Sequence, residues 1–268
     1  MAITIIFAPP RTGKTAFMTF IANEYAFSRQ RYKAMIEEIE QKNQNGFCLT
    51  IPYSVVCSNY DMEFIKFGYS HRRNIKINPF RLGFVNSFVK THFIAPYSVM
   101  CITEAQKYLN SRMSRYFPDW QSRWYEQHGH NFLDIYLDTQ RPMLIDVNIR
   151  ELSQFIEIVK LDKIYKEGKI KQLIWTIRKI ANSSEFDRYM SSGKKDNSCY
   201  EEQQVICNYN IFKIYDSQNC KPLFYKGHFD ETYLNNISEP IEENMEGYIK
   251  YLEELDDELP EGYYKKGA

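Results

Sequence analysis

The feature that most constrains the fold is the stretch from residue 3 to residue 15, ITIIFAPPRTGKT, near the start of the chain. Its first half is apolar and β-branched, which is typical of a buried parallel strand. Residues 16–25 then carry apolar side chains at helical spacing, so the pattern predicts a strand, a short polar loop and a helix in succession. We therefore predict an α/β fold whose sheet is mostly parallel and flanked by helices.

The loop between this strand and this helix has the composition of a phosphate-binding loop. Backbone N–H groups of such a loop surround the phosphates, and the following helix adds the positive end of its dipole. Lys14 is predicted to contact the β and γ phosphates, and the Thr15 hydroxyl to bind Mg²⁺. The predicted binding residues for ATP are Ala8, Pro9, Pro10, Arg11, Thr12, Gly13, Lys14, Thr15 and Ala16.

Ala8 departs from the usual pattern G-x-x-x-x-G-K-[ST], because it stands where the first glycine is expected. The first turn of the loop must then form without a positive φ at this position. The alternative interpretation is an ordinary strand-to-helix turn that contains a lysine. The place of the loop between a strand and a helix favours phosphate binding.

Length and composition limit the remaining possibilities. The 268 residues are enough for one large α/β domain with a modest appendage. With 34 basic and 34 acidic residues the chain has no overall attraction to nucleic acid, so any contact with DNA must be local. Six cysteines without a C-x-x-C pair predict reduced thiols in a cytoplasmic protein. No apolar run approaches the roughly 20 residues that cross a bilayer, so we expect no transmembrane segment.

A second site motif is predicted at the end of the third strand, residues 98–105. Four apolar residues, 99–102, lead into Thr103 and Glu104. Enzymes that hydrolyse triphosphates with such a loop commonly place a metal-binding aspartate and then a water-activating glutamate here. We predict that Glu104 activates water and helps to bind the metal, because the neutral Thr103 stands at the position of the aspartate. The alternative is a glutamate favoured at a helix start by the helix dipole.

The fourth predicted strand, residues 133–140, ends in Gln140, whose amide can hold the γ-phosphate or the attacking water. A competing assignment makes Asp138 the metal carboxylate, because apolar residues precede it. Alternation along a strand directs Asp138 and Gln140 to the same face, so spacing alone does not decide between them. Further along the chain, Arg150 is a candidate arginine finger that reaches the site of a neighbouring subunit.

The rest of the chain gives a coarser picture. Residues 182–204 are polar and predict a mobile insertion or linker, and the acidic stretch after Pro240 predicts a helix to about residue 259. We expect a P-loop ATPase domain over residues 1–230 and an acidic C-terminal helix and tail over residues 231–268. The other predicted elements are one or two helices over 16–44 and strands over 54–61, 155–163, 170–179 and 205–215. The strands over 155–163 and 170–179 are predicted to form a hairpin through residues 165–169.

Five segments carry a family resemblance in their order along the chain: 8–15, 56–59, 99–106, 130–142 and 146–150. Together they resemble the zonula occludens toxin (Zot)-like proteins, which are relatives of the filamentous phage assembly ATPases and, more distantly, of FtsK/HerA-type DNA-pumping ATPases. The resemblance implies a RecA-like P-loop NTPase core, a homo-oligomer in the form of a hexameric ring, and Mg²⁺-dependent ATP hydrolysis at sites between subunits. It also implies work on DNA, or on phage capsid or membrane assembly proteins.

Two departures from that family shape the functional hypotheses. Its members commonly carry Asp-Glu where this sequence has Thr103 and Glu104, and phage assembly members continue into a transmembrane segment. The leading hypothesis is a phage or prophage ATPase for DNA packaging, or for virion assembly and extrusion, in the host cytoplasm or at the inner membrane through a partner. The alternative is a nucleotide-gated interaction module that binds ATP but hydrolyses it slowly. A small-molecule kinase is disfavoured, since no arginine-rich lid is found.

Overall fold

The computed structural model describes residues 2–26, 28–46, 56–60, 62, 75–76, 96–112 and 119–215. The helices in this part are α1 (Lys14–Ala26), α2 (Arg29–Gln44), α3 (Asp119–Glu126), α4 (Val147–Glu151) and α5 (Ser183–Ser191). The strands are β1 (Ile3–Phe7), β2 (Val56–Ser58), β3 (Ile75–Lys76), β4 (Val99–Ile102), β5 (Asp134–Thr139), β6 (Ser153–Lys166), β7 (Lys169–Ile180) and β8 (Glu201–Cys207). The predicted acidic C-terminal helix lies outside the described residues.

The described strands form one sheet in the order β3-β2-β4-β5-β1-β6-β7-β8. The six strands from β3 to β6 in this order are parallel, and β7 and β8 add an antiparallel edge. This is the mostly parallel sheet of a RecA-like P-loop core, as predicted. Strand β5 is the direct neighbour of β1, whereas β4 is one strand further away. Groups at the end of β5 are therefore closer to the loop after β1 than groups at the end of β4.

The sheet separates two apolar clusters, because successive side chains of each strand point to opposite faces. On one face, Ile6 packs with Met18 of α1 and with Trp175 of β7. On the other face, Ile5 and Phe7 pack with residues of α4 and α5. All these side chains are at most 3% exposed. Burial on both faces explains why the central strands are apolar without alternation.

A long hairpin joins β6 and β7, as the sequence predicted. Its turn consists of Glu167 and Gly168, with φ angles of 53° and 71°. Two consecutive positive φ angles are typical of the type I′ turn, whose twist matches that of the paired strands. The hairpin pairs Phe155 with Ile180 at its base and Lys166 with Lys169 at its tip. It therefore extends well beyond β1, which pairs with β6 only as far as Glu157.

The structure differs from the prediction of a mobile insertion or linker over residues 182–204. Asn182 caps α5 by accepting a hydrogen bond from the backbone N–H of Glu185 at 2.9 Å. Phe186 is fully buried and stacks on Phe155 with ring centroids 4.0 Å apart. Strand β8 already begins at Glu201, and after Cys207 the chain forms a short 3-10 helix instead of the predicted longer strand. The polar residues of this segment form caps and turns. Its buried aromatic side chains Phe186 and Tyr189 pack in the core.

Candidate nucleotide-binding site

The loop that follows β1 has the backbone conformation that its sequence requires. Positive φ angles occur at Arg11 (63°) and Gly13 (84°) and not at Ala8, so the first turn forms without a glycine. A Cβ atom at Gly13 would lie 2.6 Å from the Leu161 Cδ2 atom and 3.3 Å from the Trp175 Nε1 atom. Conformation and space thus both favour glycine at this position. Leu161 and Trp175 of the β6–β7 hairpin therefore pack against the loop at Gly13.

Lys14 is a buried cation whose partners are all neutral. Its side chain is 7% exposed, and its Nζ atom donates hydrogen bonds to the carbonyl oxygens of Ala8 at 3.1 Å and Pro9 at 3.2 Å. No carboxylate of the described residues forms an ion pair with it. A buried ammonium without a counterion is unfavourable, and it lies at the N-terminus of α1, where the helix dipole also favours an anion.

Asp138 is a buried carboxyl group whose hydrogen-bond partners are all neutral. It is fully buried, and its Oδ2 atom accepts hydrogen bonds from the hydroxyl groups of Thr15 at 2.9 Å and Thr103 at 3.0 Å. The backbone N–H of Glu104 donates to its Oδ1 atom at 2.8 Å. Burial raises the pKa of this carboxyl group, and the three hydrogen bonds act in the opposite direction. No lysine or arginine of the described residues pairs with it.

The buried side chains of Lys14 and Asp138 fit a magnesium nucleotide. Lys14 precedes Thr15 in the loop, and Asp138 accepts a hydrogen bond from the Thr15 hydroxyl. An anionic phosphate would compensate Lys14, and a divalent cation would compensate Asp138. Hydroxyl and carboxylate oxygens are the ligands that Mg²⁺ prefers, and one or two protein ligands are enough for this ion because phosphates and water complete its coordination. The residues present therefore fit both cofactors that the sequence predicted.

The structure brings Glu104 to the same edge of the sheet but does not place its carboxylate on Thr15. Glu104 has a φ of 53°, a left-handed conformation that is uncommon for a residue with a side chain and is found at functional sites. Its carboxylate accepts a hydrogen bond from the Gln106 side chain, whereas its backbone N–H holds Asp138. The predicted roles of Glu104 in water activation and metal binding stay predictions.

Asn59, which directly follows β2, is a positioning residue that the sequence analysis did not single out. Its side chain accepts a hydrogen bond from the Thr103 N–H at 2.8 Å and donates one to the Thr103 carbonyl at 3.1 Å. These two bonds extend the pairing of β2 and β4 by side-chain contacts and fix the backbone of Thr103. The hydroxyl group of Thr103 is thereby directed at Asp138. An amide residue immediately after a short apolar strand is the signal that could have identified it.

Gln140 and Arg150 occupy different places relative to the loop. Gln140 is exposed and directly follows Thr139, which pairs with Phe7, the residue before the loop. It thus lies beside the loop, and its role as a phosphate or water sensor stays a prediction. Arg150 lies on α4, and its guanidinium donates to the Ile145 carbonyl at 3.1 Å and contacts the Met143 sulfur at 3.2 Å. It does not contact the loop of its own chain.

Among the described residues, no helix combines the length and the apolar character that a membrane crossing requires. The same residues contain no group of three or more His, Cys, Asp or Glu side chains that could hold a metal ion.

Comparison with known proteins gave structural matches only. No protein-family model matches the sequence, and no curated protein matches it. The N-terminal domain of zonular occludens toxin from Neisseria meningitidis is 18% identical, with a TM-score of 0.46 over 80% of this chain and 98% of that chain. B204, the DNA-packaging ATPase from Sulfolobus turreted icosahedral virus, is 11% identical, with a TM-score of 0.33 over 68% and 93% of the two chains.

A third matching structure is the genome packaging NTPase B204 from Sulfolobus turreted icosahedral virus 2 in complex with sulfate. It is 10% identical, with a TM-score of 0.38 over 76% of this chain and 94% of that chain. A Zot domain is thus among the structures similar to this chain, as the sequence motifs predicted, whereas none of the three is an FtsK or HerA protein. All three TM-scores are below 0.5, and the features that indicate a P-loop fold are the strand order of the sheet and the loop between β1 and α1.

Proposed function

We propose that this protein is a phage or prophage P-loop ATPase that couples Mg²⁺-dependent ATP hydrolysis to DNA packaging or translocation, or to virion assembly and extrusion. The observation that carries the proposal is the buried Lys14 ammonium at the start of α1, which has carbonyl partners and no anion among the described residues. A triphosphate supplies this missing anion. The phage setting is supported by the ordered motifs over residues 1–225 that resemble the Zot-like proteins.

Each site residue has a separate task in this proposal. Lys14 and the backbone N–H groups of the loop bind and orient the β and γ phosphates, and the Thr15 hydroxyl holds the metal. Bound Mg²⁺ neutralises charge on the phosphate oxygens. Glu104 orients the attacking water and accepts its proton, and Gln140 contacts the outermost phosphate. The backbone N–H of Glu104 donates a hydrogen bond to Asp138 at 2.8 Å, and this contact supports a role of Glu104 near Thr15.

Arg150 is proposed to act on the site of a neighbouring copy, because it does not contact the loop of its own chain. Three large apolar side chains near it are exposed: Met143 by 51%, Val147 by 47% and Leu152 by 42%. Apolar side chains grouped on a surface are typical of contacts between subunits. A homo-oligomer in which this surface faces a neighbour would bring the guanidinium of Arg150 to the phosphates of the adjacent site.

The test is steady-state ATP hydrolysis with and without Mg²⁺ and DNA. We expect Mg²⁺-dependent turnover, a loss of nucleotide affinity of about tenfold to hundredfold in Lys14→Ala, and a turnover about a hundredfold lower in Glu104→Gln with binding retained. Glu201→Gln, which changes an exposed glutamate of β8, is the matched control and should behave as wild type. Absence of nucleotide binding, or wild-type binding by Lys14→Ala, would exclude the proposed function.

A nucleotide-gated interaction module is the second candidate function. The neutral Thr103 and the engagement of the Glu104 carboxylate with Gln106 favour slow hydrolysis. This candidate predicts tight ATP binding, negligible turnover under all conditions and a change of oligomer mass on adding nucleotide. Light scattering of the protein with and without Mg-ATP, beside the turnover measurement, distinguishes the two functions.

A further inference from the structure

We infer that the magnesium-binding carboxylate of this site comes from β5 and not from β4: Asp138 does the work expected of an aspartate at position 103. The inference rests on the proposed binding of a magnesium nucleotide and adds the residue that holds its metal. The Thr15 hydroxyl, the predicted metal ligand of the loop, donates its hydrogen bond to Asp138 at 2.9 Å. Among the described carboxylates, Asp138 is the one that contacts Thr15.

The register of the sheet makes positions 103 and 138 neighbours at the same level. Ile102 of β4 pairs with Leu137 of β5, so the next residue on each strand is Thr103 or Asp138. Adjacent parallel strands lie about 4.8 Å apart, and the two side chains meet at 3.0 Å. A carboxylate moved from one position to the other therefore remains within reach of one metal ion. Asp138 is also level with Ile6 of β1, the strand that leads into the loop.

The same contact explains why position 103 is neutral. An aspartate there would place a second carboxylate against the fully buried Asp138, and two carboxylates in contact cannot both ionise without strong repulsion. A threonine instead donates a hydrogen bond to Asp138, and Asn59 fixes its backbone in the position required. A neutral residue at position 103 and a carboxylate at position 138 are thus compatible with each other, whereas two carboxylates at these positions are not.

The competing explanation is a purely structural role, in which Asp138 only accepts hydrogen bonds from Thr15, Thr103 and Glu104. The burial of a carboxylate without any cation among the described residues argues against it, because a neutral asparagine or glutamine could accept such bonds without the desolvation of a charge. Under the structural explanation, replacing Asp138 changes stability and leaves the metal dependence of nucleotide binding unaltered.

The experiment measures the affinity of a fluorescent, non-hydrolysable ATP analogue in Mg²⁺ and in EDTA. In wild type, Mg²⁺ should tighten binding by about tenfold to hundredfold, as a charge-assisted interaction does. Asp138→Asn should bind as wild type does in EDTA and lose most of the gain from Mg²⁺. The double variant Asp138→Asn/Thr103→Asp should recover this gain. The matched control is Asp134→Asn, which removes another buried carboxylate of β5 that pairs with Arg31 and should retain the gain.

The outcomes separate the inference from the proposed function. If Asp138→Asn keeps the full gain from Mg²⁺, or if the double variant does not exceed Asp138→Asn, the inference is wrong. If wild type does not bind the analogue at all, the proposed function fails instead. Should Asp138→Asn not fold, as judged by circular dichroism, the exchange variant Asp138→Thr/Thr103→Asp carries the same test, because it keeps the composition of the site. It must then show the wild-type gain.

Discussion

At the scale of single residues, the site contains two buried ionisable groups, neither of which has an ion-pair partner among the described residues. Lys14 has only carbonyl partners, and Asp138 has only N–H and hydroxyl partners within the described residues. Such charges cost stability in the ligand-free protein, because each is removed from water without an opposite charge beside it. The proposed binding of a magnesium nucleotide accounts for this arrangement, whereas folding alone does not, and such losses of stability are common at functional sites.

The first prediction concerns Lys14→Met, which removes the charge and keeps much of the stem. We expect the free energy of unfolding of the nucleotide-free protein to rise by about 1 kcal/mol, since a buried unpaired charge is lost. Stabilisation by Mg-ATP should decrease or disappear in the same variant. Urea unfolding with and without Mg-ATP measures both effects. A marked destabilisation in the absence of nucleotide would mean that the Lys14 ammonium stabilises the nucleotide-free fold.

The second prediction concerns the contribution of Asp196 to stability at different pH values. The Ser198 hydroxyl, at 2.6 Å, and the Ser198 N–H, at 3.0 Å, donate to Asp196 and lower the pKa of its carboxyl group. A carboxyl group with a lowered folded-state pKa stabilises the fold above its unfolded pKa, near 3.9, and loses this contribution as the pH falls below that value. The stability difference between wild type and Asp196→Asn should therefore be present at pH 7 and shrink below about pH 4.

Urea unfolding at a series of pH values measures this difference. Ser198→Ala keeps the N–H donor and removes the hydroxyl group, so its effect should be smaller than that of Asp196→Asn and should disappear over the same range of pH. A difference that does not change with pH would mean that Asp196 acts through its shape and not through its charge.

At the scale of elements, the β6–β7 hairpin and the loop form one packed unit. The hairpin presents Leu161 and Trp175 to Gly13, and Trp175 also packs on Phe17 of α1 with ring centroids 5.5 Å apart. Changes in the hairpin should therefore alter nucleotide binding even when they do not touch the ligand.

The third prediction tests this contact with Gly13→Ala. The left-handed φ of Gly13 costs a residue with a side chain about 1–2 kcal/mol, and the new Cβ forces Leu161 to move at a further cost of about 1 kcal/mol. Gly46→Ala is the matched control, because its φ is 93° and nothing lies within 4 Å of an added Cβ. It should show the conformational cost alone.

Chemical denaturation of the single variants and of Gly13→Ala/Leu161→Ala measures the coupling. The extra cost of Gly13→Ala over Gly46→Ala should decrease in the Leu161→Ala background, because the contact at 2.6 Å with the Leu161 Cδ2 atom is then removed. Additive effects of the two changes would show that Leu161 does not confine the loop.

The elements also show what the sequence could predict. The apolar strands, the loop with Lys14 and the hairpin were predictable, because periodicity and turn residues are local signals. Helix α5 was missed, since the burial of Phe186 and Tyr189 depends on contacts with strands that are distant in sequence. The assignment of Asp138 as the metal carboxylate stayed a competing one for a related reason. Spacing along the chain does not say that β5 lies between β1 and β4.

At the scale of the whole molecule, the described cysteines lie in the apolar clusters on both faces of the sheet. Cys57 and Cys199 belong to the cluster that contains Phe186, whereas Cys101 and Cys207 belong to the cluster that contains Met18. All four are free and buried. Burial raises the pKa of the Cys57 thiol to about 12 and also raises that of Cys101. The reactive thiolate form is therefore scarce near neutral pH.

The fourth prediction is that these four thiols resist alkylation at pH 8 until the protein unfolds. Iodoacetamide labelling followed by peptide mass spectrometry, at increasing urea concentration, measures the protection of each cysteine. If the two faces unfold as one cooperative unit, all four sites should become reactive over the same range of urea. Earlier labelling of Cys101 and Cys207 than of Cys57 and Cys199 would show that one face opens independently.

The packing of Gly13 against Leu161 and Trp175 has a consequence for the kinetics of nucleotide binding. Because the β6–β7 hairpin packs against the loop after β1, we expect the loop to have the same conformation before and after a nucleotide binds. Little backbone entropy is then lost on binding. Association should then resemble the docking of rigid partners, with rates set by diffusion and charge. Differences in affinity among variants would appear mainly in how long the nucleotide stays bound.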